Sequence, residues 1–190
     1  MALAVGTVIA SGGTASATAN LIKNGSFEMP VVPVGSFQNF ATGQSFTGWK
    51  VTGATGAVSV VSGTFQSQGF TFSAKTGAQW IDLTGPGSKT ATGVAQSVAT
   101  TAGTSYQLTF WVGNVNDPGG IFGVSSTVKV FVNGALKLTA VNSLHPTNHK
   151  QVWKQFTLTI KATSSHTSIS FINGDPTTDD SNGLDAVHLS

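Results

Sequence analysis

Residues 127–140, with the sequence TVKVFVNGALKLTA, decide the fold class of this chain. The first half alternates apolar with polar or aromatic residues, in the order Val128, Lys129, Val130, Phe131 and Val132. This period of two is typical of a β-strand with one buried face. Asn133-Gly134 readily takes the positive φ angles of a type I′ turn, after which Leu136 and Leu138 continue the alternation. The segment therefore predicts a β-hairpin.

Similar short segments, separated by Gly- or Asn-rich turns, continue on both sides of this hairpin. No apolar stripe with the period of a helix interrupts them. Many short strands at this spacing predict an all-β fold in which two sheets pack as a sandwich or jelly roll. The further predicted strands are Leu21–Glu28, Trp49–Thr52, Val58–Val61, Phe70–Ser73, Gln79–Thr84, Val94–Ala99, Tyr106–Val112, Val152–Ile160, Ser168–Ile172 and Leu184–Leu189.

The composition excludes several classes of function. The chain has 190 residues and no cysteine, so neither a disulfide framework nor a cysteine nucleophile is available. Charged residues are 8% of the chain, and all nine basic residues are lysines spread along the sequence. Nucleic-acid binding normally requires clustered Lys and Arg, so no nucleic-acid partner is expected.

The first residues resemble a secretory signal. Met1–Ala10 is apolar and uncharged, and Ala17-Thr18-Ala19 supplies the small residues that precede signal cleavage. The basic n-region is missing, because the first basic residue is Lys23, and a disordered small-residue tail is the alternative interpretation. The apolar stretch is too short to span a bilayer, so no membrane insertion is expected. We expect a signal peptide at 1–19, one secreted, extracellular domain at 20–190, and an unknown oligomeric state.

The period of two also places aromatic side chains on the outside of the predicted sandwich. Trp80 and Asp82 alternate with inward residues of one strand, and Trp111 and Trp153 do the same on two others. Sugar rings stack on indole, and their hydroxyls need polar partners, so this composition predicts a glycan-binding surface. The alternative is that a crossing loop buries the rings. Trp49, which follows a glycine at a strand start, is assigned to the core.

Loops offer further candidate ligand-binding residues. Asn114, Asn116 and Asp117 follow a predicted strand within residues 114–122, and a second polar loop spans residues 145–149. Binding residues concentrate in loops held by a rigid scaffold. The alternative is that both segments are ordinary turns.

Five motifs occur in order along the chain: residues 20–28 (NLIKNGSFE), 48–49 (GW), 79–85 (QWIDLTG), 102–110 (AGTSYQLTF) and 183–189 (GLDAVHL). Together they resemble the DUF642 and carbohydrate-binding-module branch of the galactose-binding-like jelly rolls, over nearly all of residues 20–189. The resemblance implies a two-sheet jelly-roll β-sandwich that binds cell-wall polysaccharide such as pectin or xylan.

The resemblance also implies a structural calcium ion that links the first strand to the last. The implied carboxylate ligands are Glu28 and Asp185, with carbonyl groups near Gly25 and Gln79 completing the set. Such hard oxygen donors suit calcium. The sequence departs from the pattern at Thr76, where a related module has an acidic residue. The alternative is an exposed Glu and an unrelated Asp.

The sequence contains few of the residues and motifs that catalysis requires. A glycosidase needs two carboxylates, and Asp82 with Asp117 is the one pair that can be nominated. No Gly-x-Ser-x-Gly motif, phosphate loop or metalloprotease motif is present. We therefore expect a non-catalytic polysaccharide- or oligosaccharide-binding module. The alternatives are a secreted matrix or adhesion protein with a protein partner and, third, a polysaccharide-degrading enzyme.

Overall fold

The computed structural model describes residues 19–85 and 90–190, so the expected signal peptide lies outside the described residues except for Ala19. These residues form fourteen β-strands. The strands are β1 (Phe37–Ala41), β2 (Ser45–Phe46), β3 (Trp49–Gly53), β4 (Ala57–Ser62), β5 (Phe65–Ser67), β6 (Phe70–Phe72), β7 (Gln79–Asp82), β8 (Thr92–Ala99), β9 (Ser105–Asn114), β10 (Ser126–Val132), β11 (Ala135–Asn142), β12 (Val152–Lys161), β13 (His166–Asn173) and β14 (Gly183–Leu189).

Two six-stranded antiparallel sheets form the body of the molecule, which confirms the predicted all-β sandwich. The strand order is β1-β4-β7-β14-β9-β12 in sheet A and β11-β10-β13-β8-β3-β2 in sheet B. A separate two-stranded sheet consists of β5 and β6. Within the described ranges, nothing forms a helix with the length and apolar character that a membrane crossing requires.

The predicted hairpin at residues 127–140 is present as β10 and β11. Asn133 and Gly134 have φ angles of 49° and 80°, as the turn type requires. Val128, Val130 and Val132 are buried, whereas the residues between them are partly exposed. The alternation in the sequence is therefore the alternation between the core and the outer face of sheet B.

The main core lies between the inner faces of the two sheets. Trp49 is 2% exposed and stacks on Phe27 at 5.3 Å between ring centroids, so its assignment to the core is confirmed. Phe110 of sheet A and Phe171 of sheet B contact each other edge to face at 5.1 Å. These rings join the two sheets through apolar contacts rather than hydrogen bonds.

The predicted strand Leu21–Glu28 is wrong. This segment is a series of turns, with positive φ angles at Asn24 and Phe27. Its apolar side chains nevertheless reach the main core, where Ile22 and Phe27 are buried. The apolar pattern thus reports burial, but the Asn-Gly and Ser positions favour turns over a strand.

A smaller apolar cluster lies outside the main core. We call it the outer cluster; its buried members are Val61, Phe70, Phe72, Trp80, Val115 and Phe122. Val61 and Trp80 are paired across β4 and β7, and their chain neighbours Val60 and Ile81 belong to the main core. The outer cluster therefore covers the outer face of sheet A, beneath the β5–β6 hairpin and the loop at residues 115–122.

Candidate functional site

A cavity of about 220 Å³ lies on the outer face of sheet A, beside the outer cluster. We call it the sheet A cavity. Its apolar lining consists of Phe37, Val61, Phe65, Phe72, Trp80, Ile121 and Phe122. Its polar lining consists of Ser59, Ser67, Asp82, Asp180 and Ser181. The cavity thus combines aromatic walls with carboxylates and hydroxyls.

Strand β7 brings two of the predicted ligand-binding residues into this lining. Trp80 and Asp82 lie on either side of Ile81, whose side chain is in the main core. The predicted outward direction of Trp80 is therefore correct, but the ring is only 2% exposed because the β5–β6 hairpin covers it. Within the described residues, its Nε1–H has no hydrogen-bond acceptor.

Aromatic rings from four different segments form the walls. Phe72 stacks with Trp80 at 6.0 Å between centroids and meets Phe122 edge to face at 5.1 Å. Phe37, on edge strand β1, contacts Phe65 at 5.5 Å and is 39% exposed. A ligand therefore meets one accessible ring at Phe37 and largely covered rings further inside.

The Asp82 carboxylate is tied into the sheet. Its Oδ1 accepts hydrogen bonds from the backbone N–H of Thr84 and Asn182, each at 3.0 Å, and from the Thr84 hydroxyl at 2.7 Å. Burial nevertheless raises the pKa of Asp82 to about 6, and the negative charge of Asp180 adds to the increase. The cavity therefore contains a carboxyl group that titrates near neutral pH.

The other two predicted tryptophans also lie on the outer face of sheet A, but neither lines this cavity. Trp153 packs edge to face on Trp80 at 6.1 Å and donates its Nε1–H to the carbonyl of Ser73 at 2.9 Å. Trp111 is partly exposed, and the ammonium of Lys75 lies 3.8 Å from its ring centroid. A lysine thus occupies the position that a sugar would take on Trp111.

The predicted loop residues shape their own loop. Asn114 is fully buried and donates to the carbonyls of Val124 at 3.2 Å and Leu144 at 2.8 Å. Asp117 accepts the backbone N–H of Phe122 at 3.1 Å, which helps to position that ring. Asn116 is half-buried nearby. None of these three described residues lines the sheet A cavity.

Glu28 and Asp185, the implied calcium ligands, meet at the loop of residues 75–79. Glu28 accepts the backbone N–H groups of Ala78 at 3.0 Å and Gln79 at 3.1 Å. Asp185 accepts those of Lys75 at 2.8 Å and Thr76 at 3.0 Å. Burial raises the pKa of Asp185 to about 7, and the charge of Glu28 contributes to the increase. Two acids that lie far apart in sequence are therefore close enough to repel each other.

The donor chemistry of this pair fits a hard cation. Both acids offer carboxylate oxygens, and a cation between them relieves their repulsion. Elsewhere, the Gly25 carbonyl accepts the N–H of Val187, and the Gln79 side chain donates to the carbonyls of Phe27 and Pro30. Among the described residues, no group of three or more acidic, His or Cys side chains is arranged for a metal, so carbonyls must supply the remaining ligands.

The sequence analysis did not place Phe37, Phe65, Phe72 or Asp180 in a ligand site, although its candidate loop of residues 114–122 includes Phe122. Phe65 and Phe72 come from the β5–β6 hairpin, and Phe122 comes from a loop, so none lies on a strand of sheet A. Only Phe72 was included in a predicted strand. The available signal is the concentration of phenylalanines at Phe65, Phe70 and Phe72.

The strand order defines the class of protein as an all-β jelly-roll sandwich of two antiparallel sheets. The chain belongs to the DUF642 family, described as "Protein of unknown function", whose model matches residues 20–189. The resemblance that the sequence motifs indicated is thereby confirmed. No protein of curated function matches the chain significantly.

Solved structures with a similar fold include enzymes and sugar-binding modules. A cyclase from Fischerella sp. TAU, bound to 4-(1H-indol-3-yl)butan-2-one, superposes with a TM-score of 0.56 at 20% identity, over 89% of this chain and 94% of the cyclase chain. The module TmCBM61, bound to beta-1,4-galactotriose, gives 0.50 at 18% identity, over 91% of this chain and 99% of the module. A family 35 carbohydrate-binding module from Clostridium thermocellum gives 0.47 at 12% identity, over 81% and 97%. At these identities the likeness to the cyclase and to TmCBM61 establishes the fold alone.

Proposed function

We propose that the chain is a non-catalytic carbohydrate-binding module that works outside the cell and holds one unit of a polysaccharide in the sheet A cavity. The observation that carries this proposal is the lining of the cavity, where aromatic rings stand beside carboxylates and hydroxyls. Apolar sugar faces pack on aromatic rings, and sugar hydroxyls hydrogen-bond to carboxylates and serines.

The size of the cavity limits the ligand. At about 220 Å³ it is smaller than the pockets of roughly 300–1,000 Å³ that hold drug-sized molecules. One sugar ring therefore enters, while the rest of a chain runs past Phe37 at the exposed edge. The polar groups of the lining, Ser59, Ser67, Asp82, Asp180 and Ser181, are the candidate hydrogen-bond partners for its hydroxyls.

Galactose-containing polysaccharides are the first ligands to test. The shared fold of TmCBM61, which was solved with beta-1,4-galactotriose, supports this choice. Export is proposed from the signal-like residues 1–19 and from the absence of cysteine in the sequence. We also propose that a structural calcium ion is held by Glu28 and Asp185. It would neutralise the repulsion between the two carboxylates.

Glycoside hydrolysis is a second candidate, because two carboxylates line one cavity. Asp82 has a raised pKa and Asp180 stands close enough to affect it, which is a pattern found in glycosidases. However, Oδ1 of Asp82 already accepts three hydrogen bonds that hold the ends of β7 and β14 together. This engagement favours a structural role. Release of reducing ends from galactan, lost on Asp82→Asn substitution, would instead establish the enzyme.

Two cavity variants test the binding proposal. Ser67→Phe fills the cavity from β5, and Phe37→Ala removes the exposed ring at its mouth. Loss of one stacking ring corresponds to roughly a two- to tenfold weaker Kd. We expect both variants to be retarded less than the parent in an affinity gel containing β-1,4-galactan. Leu136→Ala, which removes an exposed apolar side chain on sheet B, is the matched control and should migrate like the parent.

Intrinsic fluorescence provides a second measurement, because Trp80 lines the cavity. Galactan oligosaccharides should change the emission of the parent protein but not that of Ser67→Phe. The proposal fails if both cavity variants bind a panel of neutral glycans as the parent does, or if the folded parent binds none of them.

A further inference from the structure

Four Asn-Gly pairs occur in the chain, beginning at Asn24, Asn133, Asn173 and Asn182. In such a pair the backbone nitrogen of the glycine attacks the side-chain carbonyl carbon of the asparagine, because glycine has no Cβ in the way. The glycine nitrogen gives up its proton to water, and the side-chain nitrogen takes one up and leaves as ammonia. Water then opens the cyclic imide to aspartate or isoaspartate. The chemistry is the same at all four pairs, so their surroundings decide which one reacts.

The pair at Asn24 is held by its own side chain. Nδ2 of Asn24 donates to the carbonyls of Met29 at 2.6 Å and Thr47 at 3.0 Å, and Oδ1 accepts the N–H of Met29 at 3.1 Å. The next residue, Gly25, is buried, and a Cβ there would clash with the carbonyl oxygen of Val187. The amide carbon of Asn24 therefore approaches the Gly25 nitrogen only if these hydrogen bonds break.

The pairs at Asn173 and Asn182 lie inside the molecule, where the two asparagines are 2% and 0% exposed. Nδ2 of Asn182 donates to Oδ1 of Asn173 at 2.7 Å, so the two side chains hold each other. The N–H of Gly174 donates to the carbonyl of Thr127 at 2.8 Å, which engages the attacking nitrogen. Gly183 lies in β14, which pairs with β7 and β9. Burial also keeps out the water that has to open the imide.

The pair Asn133-Gly134 is at the tip of the β10–β11 hairpin, and both of its residues are exposed. A Cβ at position 134 would meet no atom within 4 Å, so the glycine backbone is open to solvent. Among the described residues, neither the N–H of Gly134 nor Nδ2 of Asn133 finds a hydrogen-bond acceptor. The attacking nitrogen and the leaving nitrogen are therefore both accessible.

The side-chain oxygen of Asn133 is positioned by the neighbouring strand β13. Oδ1 accepts the backbone N–H of Ser168 at 2.9 Å, and the N–H of Asn133 donates to the carbonyl of Ser168 at 2.8 Å. Negative charge develops on Oδ1 during the attack, and a donor at this distance stabilises it. The turn has to open for the attack, but an exposed hairpin tip opens at a lower free energy than buried backbone. This pair should therefore react faster than the other three.

We propose that Asn133-Gly134 is a deamidation site of the folded protein and that the fold protects the other three pairs. The two products differ in their effect. Aspartate keeps an oxygen that accepts the N–H of Ser168, so the turn persists. Isoaspartate adds one methylene group to the backbone, so the two-residue turn no longer fits the pairing of Val132 with Ala135. The hairpin contributes no residue to the sheet A cavity, so this proposal is independent of sugar binding.

The test follows all four pairs in one sample. The intact folded chain is kept at mildly alkaline pH and digested with trypsin, and mass spectrometry measures the gain of one mass unit in each peptide. Cleavage after lysine places Asn24 and Asn133 in separate peptides, and fragment ions distinguish Asn173 from Asn182. Labelling by an isoaspartate methyltransferase identifies the isoaspartate product. In the folded protein we expect Asn133 to react about tenfold faster, or more, than any of the other three.

Urea-denatured protein is the first control. Its four rates should lie within roughly threefold of one another, because the same dipeptide is then exposed at each site. Asn133→Gln is the second control, since its longer side chain has to close a larger ring and reacts more slowly. Aged parent protein should contain a fraction that melts at a lower temperature, and aged Asn133→Gln should lack it. Asn148→Gln, at an exposed asparagine that glycine does not follow, is the matched variant and should age like the parent.

Three results would overturn the proposal. They are faster deamidation of the folded protein at Asn24, Asn173 or Asn182, no reaction at Asn133, or a spread of rates in urea as large as in the native protein. If Asn133→Gln does not fold, the comparison of native with denatured parent protein still decides the outcome.

Discussion

Single residues determine how closely the aromatic rings pack on the outer face of sheet A. Gly113 of β9 pairs with Trp153 of β12, and the indole lies directly over the glycine. A Cβ at position 113 would come within 2.9 Å of Cη2 and Cζ3 of that ring. Because Trp153 also packs on Trp80, this contact controls the wall of the sheet A cavity.

Gly113→Ala should therefore destabilise the protein. The indole must move, which costs about 1–3 kcal/mol for an overpacked site and disturbs its hydrogen bond to Ser73. Denaturant unfolding monitored by tryptophan fluorescence measures the change. Adding Trp153→Phe, which shortens the ring, should recover part of the loss. If Gly113→Ala is as stable as the parent, the ring is not confined in this way.

Period-two alternation predicted which way the tryptophans point but not what covers them. Trp80, Trp111 and Trp153 are all on the outer face of sheet A, as their strands indicated. The β5–β6 hairpin and Lys75 cover them from segments that lie elsewhere in the sequence. Such long-range contacts depend on tertiary packing, which no local pattern in one sequence encodes.

Among the elements, the non-strand segment at residues 20–32 depends most on its partners. Gln79 of β7 holds it through hydrogen bonds to Phe27, Pro30 and Val32, and Val187 of β14 donates to Gly25. The segment was predicted as a strand because its apolar residues are buried. It lacks strand geometry because these tertiary hydrogen bonds replace the regular ladder. In contrast, regular strands such as β10 and β12 were found at nearly their predicted bounds.

Calcium should stabilise the junction between this segment and β14. Gly77 lies against the Glu28 carboxylate with a φ of 66°, which leaves no room for a side chain and lets the loop close over the acids. When calcium is returned to chelator-treated protein at a hundred times its Kd, the free energy of unfolding should rise by about 2.7 kcal/mol. This corresponds to a rise in Tm of roughly 5–10 °C.

Differential scanning calorimetry with and without calcium measures this rise, and magnesium is the comparison ion. Glu28→Gln should abolish the calcium-dependent part because it removes one anionic ligand. A melting temperature that responds neither to chelator nor to calcium would contradict the proposed calcium site.

For the molecule as a whole, the acids are unevenly distributed between the two sheets. The strands of sheet A contain Asp82 and Asp185 as well as Lys154 and Lys161, whereas the strands of sheet B, all described, contain lysines and no acids.

The same distribution of acids makes the stability of the molecule depend on pH. Burial raises the pKa of Asp82 to about 6, and burial with the nearby charge of Asp179 raises that of Asp175 to about 8, from the ordinary value of 3.8. At pH values between the ordinary pKa of 3.8 and these raised pKa values, the folded state holds protons that the unfolded chain has lost. The free energy of unfolding therefore falls as pH rises from about 4 to about 8.

Urea unfolding should accordingly show the protein to be more stable at about pH 5 than at about pH 8.5, by an amount on the order of a few kcal/mol. Asp175→Asn keeps an oxygen that accepts the N–H of Thr127 but cannot ionise. It should therefore reduce the fall in the free energy of unfolding between about pH 6 and pH 8. Asp117→Asn, in the loop of residues 115–122, is the comparison variant, and the prediction requires that it change the slope less than Asp175→Asn does. Stability that increases between these two pH values would contradict the prediction, because groups that hold extra protons in the folded state lower the free energy of unfolding as pH rises.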